Sequence, residues 1–289
     1  MADVAAHVRH RQGTNAIWVL IPLALSAGVF FFPLSLVLRE ALTDGSGTLH
    51  LARALRVLQS HIFLSALTNT LRIALASTLG CLALGFVLGV VLCFVPFPGR
   101  GPTTRLIEAF IALPTFLITL AFTFIYGSAG IVNETLMAIS GATMPPLDFL
   151  YSSWGVILAE ITVYLPFVLR PLMAAFATLD PAQIEIASSL GARAPMIVRR
   201  ILFPAALPAL LAGGSLCLLL TVNEFGIVLF IGAKGVITLP LLVYSKAIQE
   251  FDYPTACVVA SANLVLSIGL YGLYRVALQR LGGRNADLV

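Results

Sequence analysis

Long apolar stretches with almost no charge recur along this chain: Ala16 to Leu38, Ile73 to Val95, Ala109 to Tyr126, Trp154 to Thr178, Ala205 to Ile231 and Tyr253 to Tyr274. Each is near the roughly 20 residues that a helix needs to cross hydrocarbon. The pattern predicts an all-α, polytopic membrane protein with about six transmembrane helices, all of residues 1–289 forming a single transmembrane domain. Two shorter apolar stretches are too short to cross: Ile131 to Ile139, which contains Asn133 and Glu134, and Val236 to Tyr244. Both read as interfacial or re-entrant helices on the outer side. The first long stretch exceeds the usual apolar core of a signal peptide. Arg39 and Glu40 follow it without a small-x-small cleavage pattern, so it reads as a retained first helix.

Composition agrees with that pattern. The chain is 59% hydrophobic and 10% charged, against about 25% charged in an ordinary soluble domain. A soluble fold of this size needs a charged shell, whereas a lipid-facing surface needs the opposite, so the bilayer is the main solvent. The net charge of +4 does not indicate nucleic acid, because the basic residues sit at the ends of apolar runs and form no patch. Cys81, Cys93, Cys217 and Cys257 lie in or beside apolar runs with no metal-type spacing, so neither a disulfide framework nor a metal site is expected. His7, His10, His50 and His61 lie in the tail or first outer loop, with no nucleophile or paired acid at useful spacing. No catalytic residues and no cofactor are expected in this chain.

The basic residues do set an orientation. Ten of the seventeen, Arg9, Arg11, Arg100, Arg105, Arg193, Arg199, Arg200, Arg275, Arg280 and Arg284, fall on one side of a six-span topology. Five, Arg39, Arg53, Arg56, Lys234 and Lys246, fall on the other, beside Glu40, Asp44, Glu134, Asp148, Glu250 and Asp252; Arg72 and Arg170 lie within helical segments. The positive-inside rule therefore puts both termini, the Pro96 to Arg105 turn and the 180–204 segment in the cytoplasm.

Within the spans, Gly80, Gly85 and Gly89, and the Gly213-Gly214-Ser215 cluster, read as sites of close helix packing. Pro166 and Pro171 should bend the fourth span, since each removes a backbone donor. Glu160, Arg170, Asn223, Glu224 and Asn263 are polar groups at membrane depth, where they are costly unless paired or wet. Glu160 and Arg170 are ten positions apart and so must find partners on other helices or snorkel. Asn223 and Glu224 are candidates for a translocation path or gate, with packing as the competing role. Asn69 and Arg72, at the outer start of the second span, read as headgroup anchors.

The 180–204 segment has its own grammar. Asp180 can cap a helix, Pro181 suits its first position and Gln183 occupies the capping-box position. A short helix should run to about Leu190, turn at Gly191, and be followed by a second from about Pro195 toward Arg200. Ile184, Ala187, Leu190 and Ile197 would give this knob an apolar face suited to a partner's groove.

Glu185-Ile-Ala-x-x-x-Gly191, then nine residues, then Ile201-x-Phe-Pro204 resembles the cytoplasmic loop of bacterial ABC importer permeases, Glu-Ala-Ala-x3-Gly-x9-Ile-x-Leu-Pro. The spacing matches at every anchor, with Ile186 and Phe203 as apolar departures. The resemblance implies a type I importer permease fold and makes Glu185, Ala187, Gly191, Ile201 and Pro204 the ATPase-coupling residues. It also implies three protein partners: a cytoplasmic ABC ATPase that binds the ATP, a second homologous permease and a periplasmic substrate-binding protein. The chain has no Gly-x4-Gly-Lys-[Ser/Thr] loop, so ATP must be hydrolysed by a separate subunit.

Glu224-Phe-Gly226, Gly232 and Thr238-Leu-Pro240 resemble the sulfate, molybdate, polyamine and ferric-iron branch. Phe110 to Gly130 and Thr221 to Gly235 are similar to the 2-aminoethylphosphonate permeases of that family. The implied activity is alternating-access import of a small polar solute across the bacterial inner membrane. A secondary transporter would instead need a midplane ion site and broken helices, and no inverted repeat is visible in the sequence; a non-transporting scaffold would leave the loop motif an accident.

Overall fold

This computed structural model describes residues 18–43 and 51–281. His7, His10, His50, Arg9, Arg11, Asp44, Arg284 and the start of the first apolar run lie outside them. Regular structure among the described residues is helical, and six candidate spans are long and apolar enough to cross a membrane.

The chain divides into two compact units, residues 1–60 with 243–262, and residues 61–242 with 263–289. In the first, α1 (Trp18–Leu42) and α2 (Leu51–Gln59) meet residues of the 243–262 stretch through Ala41, Ala54 and Val258. Nearly all of α1 is exposed and apolar, as a helix immersed in lipid requires. Arg53 donates to the carbonyls of Glu40, at 3.0 Å, and Thr43, at 2.5 Å, so it supplies donors at the C-terminal end of α1.

The second unit is built on α3 (His61–Phe94), α7 (Ser153–Ala177) and α9 (Ala194–Val222), which pack mutually around one apolar core. Around them run α4 (Arg100–Ala109), α5 (Thr115–Tyr126), α6 (Ile131–Ser140), α8 (Pro181–Ser189), α10 (Gly226–Ile231) and α11 (Leu239–Tyr244). The last helix, α12, spans Tyr253–Leu281.

Glycines set the close approaches. A Cβ at Gly80, Gly85 or Gly89 of α3 would press on Ile161, Val168 or Leu172 of α7. At Gly213 of α9 the obstacle is backbone: an added Cβ would lie 2.9 Å from Val168 Cα and 3.1 Å from the Phe167 carbonyl oxygen. That carbonyl is the one Pro171 leaves without its helical donor, so the missing side chain on one helix sits over the missing N–H on the other. The helix is continuous through both Pro166 and Pro171.

Three boundaries differ from the sequence expectation. The second span starts at His61, twelve positions before Ile73, and Asn69 and Thr70 within it have protein partners. Asn69 Nδ2 donates to the Ile237 carbonyl at 3.1 Å, and Thr70 Oγ1 accepts from Leu239 N at 2.8 Å. The expected third span, Ala109 to Tyr126, is broken at Leu113-Pro114, and the third candidate span instead runs over Thr115–Ser140, α5 and α6 together. The short stretch after it forms α6, locked by the buried Asn133, which donates to Gly127 O and Leu147 O at 2.8 Å each and accepts from Leu147 N at 2.9 Å. The fifth span begins eleven positions earlier than expected, at Ala194, and ends at Val222.

Candidate functional site

The first candidate is the 180–204 loop. Asp180 Oδ1 accepts from Ala182 N at 2.9 Å and Pro181 fills the first helical position, so α8 starts where a cap and a missing donor both favour it. Gln183 contributes its backbone N–H, to Asp180 O at 3.1 Å. At the other end Ala192 N bonds to Ala187 O at 2.9 Å and Gly191 N to Ser188 O at 3.0 Å, with Gly191 at φ +82°. This paired closure with a left-handed residue is a Schellman stop, which a residue with a Cβ resists.

The expected second short helix is not separate. It is the first part of α9, continuous from Ala194 to Val222. Arg199, Arg200 and Pro204 made it look separate from the span in sequence. A π-helical turn at Val198–Leu202 resolves this: Phe203 N reaches back to Val198 O, one residue further than usual. The widened turn makes room for the Pro204 ring.

Glu185 is exposed, Ala187 and Ile201 are half-buried, and Pro204 is exposed on α9. Of the expected apolar face, Ile184 and Ile197 turn inward onto the core, while Leu190 is 83% exposed. Ile186 and Met196 are exposed beside it. The loop thus presents apolar side chains outward from two helices joined at Gly191.

The second candidate is the break in the fifth span. Between α9 and α10 the neighbours Asn223 and Glu224 point to different surroundings. Glu224 is buried, accepts a hydrogen bond from the Tyr164 hydroxyl of α7, and accepts from Ile227 N at 2.8 Å. Both carboxylate oxygens are therefore engaged within the protein. Asn223 is exposed; its Nδ2 donates to Leu219 O at 2.8 Å and to Ser267 Oγ at 3.2 Å, and its Oδ1 accepts from Asn263 Nδ2 at 3.0 Å. Asn263 and Ser267 are one turn apart on α12 and clamp Asn223 as a pair.

Glu160, 1% exposed, stands one turn before Tyr164 on α7. Ser77 faces its carboxyl, yet Glu160 Oε2 has no hydrogen-bond donor among the described residues. Arg170 meets Glu108 of α4, with Nε 3.8 Å from Oε1 and both side chains substantially exposed. Tyr164, Ser267 and Glu108 carry this geometry and were not singled out from sequence. Tyr164 left one faint signal, a hydroxyl one turn from an acid in an otherwise apolar helix. Among the described residues no group of His, Cys, Asp and Glu is arranged to hold a metal ion.

Known proteins resemble this chain along most of its length. Residues 81–283 match the family model of the binding-protein-dependent transport system inner membrane component. A protein of Salmonella typhimurium named as a 2-aminoethylphosphonate transport system permease, PhnU, is 58% identical over 269 residues, covering 93% of this chain and 94% of its own. The sulfate transport system permease CysT of the same organism is 29% identical over 69% of this chain and 71% of its own. Among solved structures, a bacterial ABC transporter involved in import of the acidic polysaccharide alginate superposes with TM-score 0.81 at 17% identity, covering 93% of this chain and 96% of its own. The MetNI methionine ABC transporter in an inward-facing conformation gives 0.57 at 19% identity, over 77% of this chain and 99% of its own.

Proposed function

The chain belongs to the family of binding-protein-dependent inner-membrane transport components, and on that premise we propose that it is the permease through which 2-aminoethylphosphonate is imported under ATP drive. Membership makes it a multi-pass permease of the inner membrane and a transport subunit rather than an enzyme. The observation that carries the substrate is the identity shared along almost the whole chain with a relative named for that solute.

The working assembly has this permease, a second homologous permease, a cytoplasmic ATPase that binds ATP and a periplasmic binding protein. Residues 1–289 act as one transmembrane permease domain with both termini in the cytoplasm. Glu185, Ala187, Gly191, Ile201 and Pro204 couple it to the ATPase. Support comes from the rigid stop at Gly191 and from the continuity of α9, which runs out of the loop and across the membrane. ATP-driven closure of the ATPases displaces α8, α9 moves with it, and the break at its far end shifts. Asn223 faces the path, while Glu224 pins the gate by holding α10 to α7. A nucleotide shifts such an equilibrium only through its differential affinity for the two states, so a compliant loop would waste the stroke.

Reconstitution with the cognate ATPase and binding protein tests the reading. Aminoethylphosphonate should stimulate ATP hydrolysis and accumulate in vesicles. Stimulation by sulfate or spermidine, and none by aminoethylphosphonate, reassigns the substrate.

A further inference from the structure

Arg170 is a cation within a helix whose other faces are mostly buried in protein. It lies seven positions before the end of α7 at Ala177, about 10 Å of helix. The open face of this part of α7 is Arg170, Ala174 and Ala177, at the four- and three-residue spacing of one stripe. Exposed stripes on α1 and α12 are large and apolar. Val29, Phe30 and Phe31 on α1, and Val265, Ile268 and Leu273 on α12, are each more than 60% exposed. A stripe of one arginine and two alanines is a poor surface for hydrocarbon and a good one for water.

The guanidinium is also underused. Among the described residues it makes no hydrogen bond, and its one charged neighbour is Glu108 Oε1, approached at 3.8 Å through Nε. That is beyond hydrogen-bond length, so the planar fork stays available. The two side chains are 55% and 40% exposed. Among the described residues nothing fixes them to each other, and together they present one positive and one negative charge a few ångströms apart.

We infer that Arg170 and Glu108 form a solute-contact site on the cytoplasmic half of the path, Arg170 receiving the anionic group and Glu108 the ammonium of a small zwitterion. This rests on the substrate reading above and deepens it. A guanidinium matches a phosphonate with two parallel N–H···O bonds, which an ammonium of lysine cannot reproduce. The solute's opposite charges are two carbons apart, a separation a loosely held ion pair can bridge by opening. Weak engagement of the pair suits a path site, which must release what it binds.

The test uses the complete transporter with loaded binding protein in proteoliposomes. Arg170→Gln should lower the aminoethylphosphonate accumulated per ATP hydrolysed about tenfold, the loss of one charge-assisted contact. Arg170→Lys should recover part of the accumulation. In a chain whose native cysteines are replaced, Arg170→Cys should react with a membrane-impermeant thiol reagent supplied from the cytoplasmic side. Accumulation unchanged in Arg170→Gln overturns the inference, as does accumulation that falls in step with ATP hydrolysis and is not recovered by lysine, or a cysteine that the reagent cannot reach. A wild-type transporter that ignores aminoethylphosphonate overturns the substrate reading instead, so the two failures are separable.

Discussion

The Tyr164 hydroxyl of the fourth span donates to the Glu224 carboxylate at the break in the fifth, and the other oxygen of the same carboxylate caps Ile227 N at 2.8 Å. One buried side chain thereby satisfies the first turn of α10 and ties it to α7. Glu224→Ala should cost about 3 kcal/mol, since it leaves a buried hydroxyl and a buried N–H without partners. Tyr164→Phe keeps the cap and should cost about 1 kcal/mol. Thermal unfolding of the purified protein in detergent gives both values. Once Glu224 is gone the second substitution should add little, because the pair shares one interaction.

Gly213 offers a contrast between crowded and open glycines. Its Cβ would meet backbone atoms of α7 at 2.9 and 3.1 Å, which no rotamer change relieves. Gly213→Ala should destabilise by about 1–3 kcal/mol. Gly269 and Gly272 have nothing within 4 Å of a built Cβ, and alanine there should be neutral or stabilise by up to about 1 kcal/mol through helix propensity. Equal effects at the three positions would mean that α7 and α9 do not approach at Gly213.

The spans and the loop were legible because lipid and backbone chemistry write directly into sequence. Uncharged length marks a span, and Asp180, Pro181 and Gly191 mark a helix start and stop by their own conformational limits. The break at Asn223 to Phe225 was not legible, because Gly226 to Ile231 is as apolar as the helix before it. The break is held by one tertiary contact, from Tyr164 to Glu224, and by a local cap in which Glu224 accepts from Ile227 N. The early start of α9 was hidden for the opposite reason. Arg199, Arg200 and Pro204 divide a short helix from the apolar run in sequence, and the π turn that joins the two leaves no mark there. Arg170 was visible as an anomaly, but Glu108 belongs to a helix remote in sequence, and no periodicity links them.

Gly191 tests the coupling assignment. At φ +82° with open space around it, the position constrains conformation rather than volume. Gly191→Val should carry a local penalty of about 1–2 kcal/mol for the left-handed backbone and should abolish uptake while membrane insertion and expressed amount stay normal. Gly191→Asn, which tolerates that region better, should retain more uptake than valine. Normal uptake in the valine variant removes the coupling role from this turn.

The proposed orientation rests on charge, with ten of the seventeen basic residues on the side of the 180–204 segment and five on the other. On the side assigned to the periplasm, Arg53 is held by the carbonyls of Glu40 and Thr43, and Lys246 pairs with Glu250 at 2.5 Å. On the opposite side Arg193, Arg199 and Arg200 are exposed and make no ion pair among the described residues. Among the described residues Arg39, Arg56 and Lys234 on the first side make no ion pair either, so the orientation rests on the count of basic residues and not on their pairing. Cysteine placed at Ala194, the exposed start of α9, should be labelled by an impermeant reagent in inside-out vesicles and spared in intact cells. Cysteine at Ala142, just past the end of α6, should show the reverse. The native cysteines would first be replaced; Cys81 and Cys217 are buried, but Cys93 and Cys257 are partly exposed and would otherwise contribute signal. Labelling of Ala194→Cys in intact cells would put the loop outside, where no ATPase reaches it, and would remove the basis for ATP-driven coupling through Glu185 to Pro204.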